Sequence, residues 1–217
     1  MVAVIDYKAG NAPSVLNALR HLGAKSFLAS APGQLAAATH IILPGVGAAG
    51  ATMASLRDSG MLEALQHAVL REGRYFLGVC VGMQILFERS EEGDAACMGW
   101  LRGEVARFPA SGVKVPQMGW NRVDFRETKQ TDDPCSFPCG GNYLPSVHSD
   151  YFYFVNSYYA CPADSTDVWG TSAHGVEFTA AVAHENIYGT QFHIEKSGPA
   201  GLSLLSQFVS LGGAAKC

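Results

Sequence analysis

Apolar residues fall into two rhythms along this chain, and the change comes near Trp100. Before that point, short runs apolar on both sides alternate with stretches in which apolar residues recur every third or fourth position. The runs are Val2 to Ile5, Ile41 to Leu43 within "HIILPGVG", and "YFLGV" at 75–79. In "PSVLNALRHLG", Val15, Leu16, Leu19 and Leu22 share a helical face, Pro13 suits a first turn and Gly23 a stop. "MLEALQHAVLREG" reads as an amphipathic helix closed by Gly73, and "GMQILFERS" as another. Strands buried on both faces and alternating with helices predict a mostly parallel sheet with helices on both sides.

Beyond Trp100 the period shortens. "GEVARFP", "NRVDF", "DYFYFVNSYYA", "VEFTAAVAH" and "IYGTQFH" are rich in β-branched and aromatic residues, which predicts an added antiparallel portion with a hairpin around Glu185 and Asn186. Thr128 to Ser149, rich in Asp, Pro, Gly and Cys, reads as an irregular loop. A last helix is expected over Leu202 to Leu211, ending at Gly212-Gly213 before a frayed tail. With no repeat, linker or low-complexity tract, residues 1–217 read as one α/β domain.

Composition narrows the function classes. Lysine and arginine total 15 against 19 acidic residues, a net charge of −4, so nothing electrostatic favours nucleic acid or an anionic membrane. The N-terminus meets Asp6 without a basic leader, and no stretch is long enough to cross a bilayer, so a cytoplasmic protein is expected. Of six cysteines only Cys135 and Cys139 lie close together, and "CSFPC" has no second Cys or His pair to complete a zinc tetrahedron. Reduced thiols, no metal and no cofactor are the expectation.

One thiol stands apart. Gly78-Val79-Cys80-Val81-Gly82, between a buried strand and a helical run, is G-x-C-x-G, the thiol form of the nucleophile elbow. A nucleophile on so sharp a turn is strained, and glycines two residues either way leave room for it. The helix start beyond favours a thiolate, and Gln84, on the same helix face, could reach a substrate. A buried structural cysteine is the plain alternative, so a base is needed. Among seven histidines, His193 is followed at i+2 by Glu195 in "GTQFHIEKSG". Extended residues two apart project to one side, so the carboxylate can orient the imidazole, giving nucleophile, base and orienter. "LPGVGAAG", with glycines at 45, 47 and 50 after a buried strand, then leaves backbone N–H groups free, which suits an oxyanion hole; its glycine spacing matches no phosphate loop, and a tight strand-to-helix turn is the plain alternative.

"PGVG", "GVCVGMQ" and "QFHIEKSG" together resemble the class I (triad) glutamine amidotransferases. "VPQMGWNRV", "YFYFVNSYYA" and the opening "VIDYKAGN" are similar to the branch of that family serving imidazole glycerol phosphate synthase in histidine biosynthesis. The resemblance implies a flavodoxin-like doubly wound sheet with the elbow at its carboxyl edge. It implies that Cys80 attacks the side-chain amide of glutamine, that His193 protonates departing ammonia, and that Glu195 holds His193. It places Gln84 and Glu92, with backbone of Ser157 and Tyr158, around the glutamine, and Val46, Gly47 and the Val81 N–H at the oxyanion. It also implies a heterodimer with a (β/α)8-barrel cyclase or synthase subunit that receives the ammonia, with Tyr153 and Lys196 as interface candidates. Ile194 replaces the usual proline of His-Pro-Glu but keeps the spacing. Gln117 and Asn156 stand where histidine is commoner, so altered loop or interface detail is expected there. The competing readings are a glutaminase feeding another synthase, a cysteine hydrolase acting on peptides or γ-glutamyl chains, and a non-catalytic partner subunit.

Overall fold

The computed structural model describes residues 1–8, 11–110, 112–126, 144 and 147–212. Most of the loop expected at 128–149, with Cys135 and Cys139, lies outside the described residues, as does the tail from 213. The first half runs β1 (Val2–Ile5), α1 (Ala12–His21), β2 (Ser26–Ala29), β3 (His40–Gly45), α2 (Ala49–Asp58), α3 (Met61–Gln66), β4 (Tyr75–Cys80) and α4 (Val81–Gln84). There follow β5 (Arg89–Ser90), β6 (Ala95–Ala96), β7 (Gly103–Arg107), β8 (Gln117–Phe125), β9 (Asp150–Asn156), β10 (Tyr158–Pro162), β11 (Val168–His174), β12 (Val176–His184), β13 (Ile187–Thr190) and α5 (Gly198–Ser210).

The strand order is β2-β1-β3-β4-β13-β12-β10-β7-β5-β6, and the first five are mutually parallel. Every residue of β1 and β3 is buried, as the continuous apolar runs require of strands covered on both faces. From β12 onward the pairing is mostly antiparallel, and β11 leads off this path to a β8–β9 hairpin. Aromatic contacts hold that hairpin to the sheet: Phe152 and Phe192 centroids lie 4.2 Å apart, and Phe125 and Trp169 4.8 Å. The expected hairpin at Glu185-Asn186 forms between β12 and β13.

Three departures have local causes. The helix expected over 82–90 stops at Gln84. Ile85, Leu86 and Phe87 are wholly buried, and their carbonyls accept from Met98, Trp100, Leu101 and Gly99 rather than from a further helical turn. The run 61–71 is helical as expected, but its last five residues form a π turn before Gly73, at φ +66°, ends it. The apolar stretch 151–160 is two strands, because β9 pairs with β8 whereas β10 pairs with β7 and β12. Helix α2 and strands β2 and β11 carry too few periodic apolar residues to announce themselves, and α5 starts at Gly198, ahead of its apolar face.

Candidate active site

Strand β4 lies inside the parallel sheet, between β3 and β13, and delivers Cys80 at its carboxyl end, where open α/β sheets place their ligands. Cys80 has φ +56° and ψ −112°, a strained backbone for a residue with a Cβ. Three glycines make that turn possible. A Cβ on Gly78 would strike the Gly82 carbonyl, one on Gly82 the Leu43 carbonyl, and one on Gly45 the Gly82 nitrogen. All three obstacles are backbone, which cannot swing aside. We therefore expect Gly82→Ala to lower the unfolding free energy by about 1–3 kcal/mol, read as a shift in denaturant midpoint at unchanged slope. Cys80 itself is 4% exposed, less open than an elbow suggests. Its sulfur lies 3.9 Å from the Val155 carbonyl and 3.7 Å from Gln191 Nε2. Because α4 has four residues, helix-dipole support for a thiolate is smaller than the long helix expected from sequence would supply.

Strand β13 runs parallel to β4, with Thr190 opposite Val79, so the chain leaving it brings His193 to the same end as Cys80. Here the sequence reading needs correction. His193 and Glu195 are not successive same-side residues of an extended strand; the chain turns at His193 into a short 3-10 turn, Ile194–Lys196. The pairing survives the change: His193 Nδ1 lies 2.9 Å from Glu195 Oε1. Ile194 is fully buried, so a core apolar side chain occupies the proline position. Backbone bonds hold the turn, with the His193 N–H donating to the Tyr153 carbonyl at 2.9 Å and Ser197 Oγ–H to the His193 carbonyl at 2.6 Å. Burial alone would depress the imidazole, but hydrogen bonds to Cys80 and Glu195 and their negative charge raise its pKa to about 9. Burial likewise works against the Glu195 charge, yet the His193 hydrogen bond and charge, with help from Asn11, hold its pKa below the ordinary value.

A cavity of about 340 Å³ opens between these groups, lined by every residue named for substrate and oxyanion, and by Lys196. Glu92 Oε2 accepts the Ala49 N–H at the start of α2 at 3.0 Å. Gln84 is buried and both amide protons are engaged, on the Tyr158 carbonyl (3.1 Å) and Gln191 Oε1 (3.0 Å), so it braces the wall. The Ser157 carbonyl accepts from the Phe108 N–H. Gly47 has φ +95°, turning the chain away after Val46, which is 39% exposed. Val81 begins α4, so its N–H has no partner within the helix. Lys196 is exposed at the rim, and Tyr153 packs edge-on against Trp120 at 6.0 Å.

Several contributors escaped the sequence reading. Gln191 and Ser197 lie inside the quoted "QFHIEKSG" but carry no catalytic signature of their own, and Val155 acts through its carbonyl. Asn11 donates to Glu195 Oε1 at 3.2 Å from 184 residues away, a contact no local pattern announces. Asn156 was expected at a loop or interface; instead it is buried on the cavity wall, its Nδ2 donating to the Tyr158 carbonyl at 3.0 Å, with Gln117 opposite it on β8.

Comparison with known proteins adds three findings. The family model for class-I glutamine amidotransferases matches residues 3–211. The chain is similar to the imidazole glycerol phosphate synthase subunit HisH of Dehalococcoides mccartyi, 43% identical over 97% of both chains, and to that of Methanothermobacter thermautotrophicus, 42% identical over 97% of this chain and 98% of the relative. Among solved structures, a glutamine amidotransferase superposes with a TM-score of 0.73 at 15% identity over 97% of this chain and 99% of the other. The PurLQS complex of Thermotoga maritima contributes a chain with a TM-score of 0.71 at 18% identity, covering 96% and 97%. At those identities the structural likeness speaks for the fold alone.

Proposed function

The chain belongs to the class-I glutamine amidotransferases, in the branch of the HisH subunits of imidazole glycerol phosphate synthase, and we propose that Cys80, His193 and Glu195 perform its glutaminase chemistry. The observation that carries this assignment is the meeting of a thiol on a strained elbow with a carboxylate-paired imidazole at adjacent parallel strand ends. Cys80 Sγ attacks the side-chain carbonyl carbon of glutamine while its proton resides on His193. The tetrahedral oxyanion is met by backbone N–H groups of Val81 and of the Val46-Gly47 loop. Collapse breaks the carbon–nitrogen bond as His193 protonates the departing ammonia, leaving a γ-glutamyl thioester. Water, deprotonated by His193, then releases glutamate and restores the thiol. Glu92, with one oxygen on the start of α2, has its other oxygen for the substrate ammonium. Gln84 keeps the Tyr158 backbone in place, and Ser157 completes that wall. The whole chain is read as one such domain, working in the cytoplasm; no helix among the described residues is long and apolar enough to cross a membrane.

The ammonia acceptor is a (β/α)8-barrel cyclase subunit in a heterodimer. Support comes from one face of the β8–β9 hairpin, where Met118, Trp120 and Tyr151 are 67%, 56% and 55% exposed. Trp120 pairs with Tyr153 and Met118 with Val155, and Val155 and Lys196 also line the cavity, so this apolar face borders the mouth of the site. Trp120→Ala should weaken binding of the barrel subunit by tenfold or more, since a central aromatic anchor is typically worth about 2 kcal/mol. Titration calorimetry checks it, with basal glutamate release unchanged.

Glutamate release is measured with and without the barrel subunit and its phosphorylated aminoimidazole carboxamide ligand. Strong stimulation supports the full assignment. Cys80-dependent hydrolysis without stimulation moves the chain to another synthase, and no Cys80-dependent turnover overturns the triad.

A further inference from the structure

The start of α1 breaks a local rule. Asparagine is among the best N-cap residues because its side-chain oxygen accepts a backbone N–H from the first turn. Asn11 holds the N-cap position and makes no such bond. Its carbonyl still receives the Ser14 and Val15 N–H groups at 3.2 and 3.4 Å, so the backbone begins the helix normally. Its amide is directed elsewhere. Nδ2 donates to Glu195 Oε1 at 3.2 Å, and Oδ1 accepts Ser14 Oγ–H at 2.8 Å.

We propose that Asn11 is a positioning residue for glutamine hydrolysis, pinning the Glu195 carboxylate in the orientation that meets His193. The proposal rests on the triad assignment above. The two oxygens of Glu195 are unequal. Oε1 receives Asn11 and faces His193, whereas Oε2 is buried with no hydrogen-bond partner. The terminal torsion of a glutamate is broad, so one contact to an imidazole that is itself being oriented does not fix the plane of the carboxylate. Asn11 supplies a second contact from a different element, and Ser14 in turn fixes the amide plane of Asn11. A neutral donor suits the task. A lysine or arginine here would pin the carboxylate but cancel the charge that His193 needs, whereas an amide pins it and leaves the charge intact. An idle cap at α1 beside an ordered carboxylate is the local inconsistency expected where function overrides helix chemistry.

Two substitutions separate this role from helix capping. Serine and aspartate both cap well, so Asn11→Ser should leave the thermal midpoint unchanged or raise it, whereas Asn11→Asp should lower it by setting a like charge beside Glu195. Serine is too short to reach Glu195, and aspartate offers it an acceptor and a like charge. In the complex with the synthase subunit, kcat for glutamate release should fall about ten- to a hundredfold in Asn11→Ser, the usual range for losing a hydrogen bond to a charged group, and further in Asn11→Asp. KM for glutamine should stay within about twofold, because substrate does not touch Asn11. The His193 titration, followed by proton NMR, should move to lower pH in the serine variant and to higher pH in the aspartate variant. Unchanged kcat and an unmoved titration in both would overturn the proposal, as would losses of activity that merely track losses of thermal midpoint. Should the unsubstituted protein release no glutamate through Cys80, the triad assignment fails instead; the titration then decides alone, with displacement supporting the Asn11 contact and constancy refuting it.

Discussion

Cys80→Ser should remove glutamate release by on the order of 10⁴-fold or more while leaving the thermal midpoint close to that of the unsubstituted protein. The fold tolerates the change because serine differs only in the atom at γ. It can adopt the same backbone at φ +56°, and the change removes no close hydrogen bond, since the sulfur lies 3.9 Å from the Val155 carbonyl. Chemistry does not tolerate it. The thiolate is the competent nucleophile, and an imidazole is a poor match for the far weaker acidity of a hydroxyl. No other described cysteine can stand in. Burial pushes the Cys97 thiol up to about 11 and raises that of Cys161, so neither supplies thiolate near neutrality. The check is a coupled glutamate assay on the complex, beside a thermal melt of the same preparation. Substantial residual turnover with an intact fold would mean that another group attacks the amide.

The legible parts of this molecule were those encoded within a few residues. Gly78, Cys80 and Gly82 announce the elbow because they fall within five residues. Gly78 is demanded by contact inside the turn, and the structure adds that Gly82 is demanded by the Leu43 carbonyl on β3 and that Gly45 belongs to the same steric arrangement. Parallel strands β1, β3 and β4 were legible because burial on both faces leaves almost no polar position, whereas the partly exposed β2 was not. Reading failed where a pattern was only half the cause. The run Ile85 to Phe87 looks helical but is apolar all round, and carbonyl bonds to residues 98–101 decide its path. The i+2 spacing of His193 and Glu195 was right for a reason that the 3-10 turn replaced. Asn11 was invisible because its partner is 184 residues away, and an asparagine before a proline-containing first turn reads as an ordinary cap.

Glu195→Gln, nearly isosteric, should cost about 10³- to 10⁴-fold in kcat, the scale seen when the orienting carboxylate of a triad is made neutral. Either orientation of the new amide is unfavourable. With its oxygen where Oε1 now lies, it still accepts from Asn11 and His193, but its two N–H donors then occupy the buried Oε2 position, where no partner exists. Leaving a buried donor unmet costs about 1–3 kcal/mol. Flipped, the amide donates toward His193 Nδ1 and so demands the wrong tautomer, while meeting the Asn11 donor head-on. The charge loss is separate and has a definite sign. His193 is held at about 9, above its ordinary 6.5, so the pair stabilises the fold fully below 6.5, and that contribution fades as pH rises through 9. Glu195, held below its ordinary 4.5, contributes above that value and loses its contribution as pH falls through its own lowered pKa. Without the carboxylate, only Cys80 is left to oppose burial, already the largest influence on His193, so its pKa falls from about 9 and part of the stability present at low pH is lost. Unfolding free energies should therefore diverge most between the two proteins at pH 5–6.5 and converge above 9. The alkaline limb of the rate profile should move toward acid in parallel. A variant whose stability gap is constant across that range would show that Glu195 acts by packing rather than by charge.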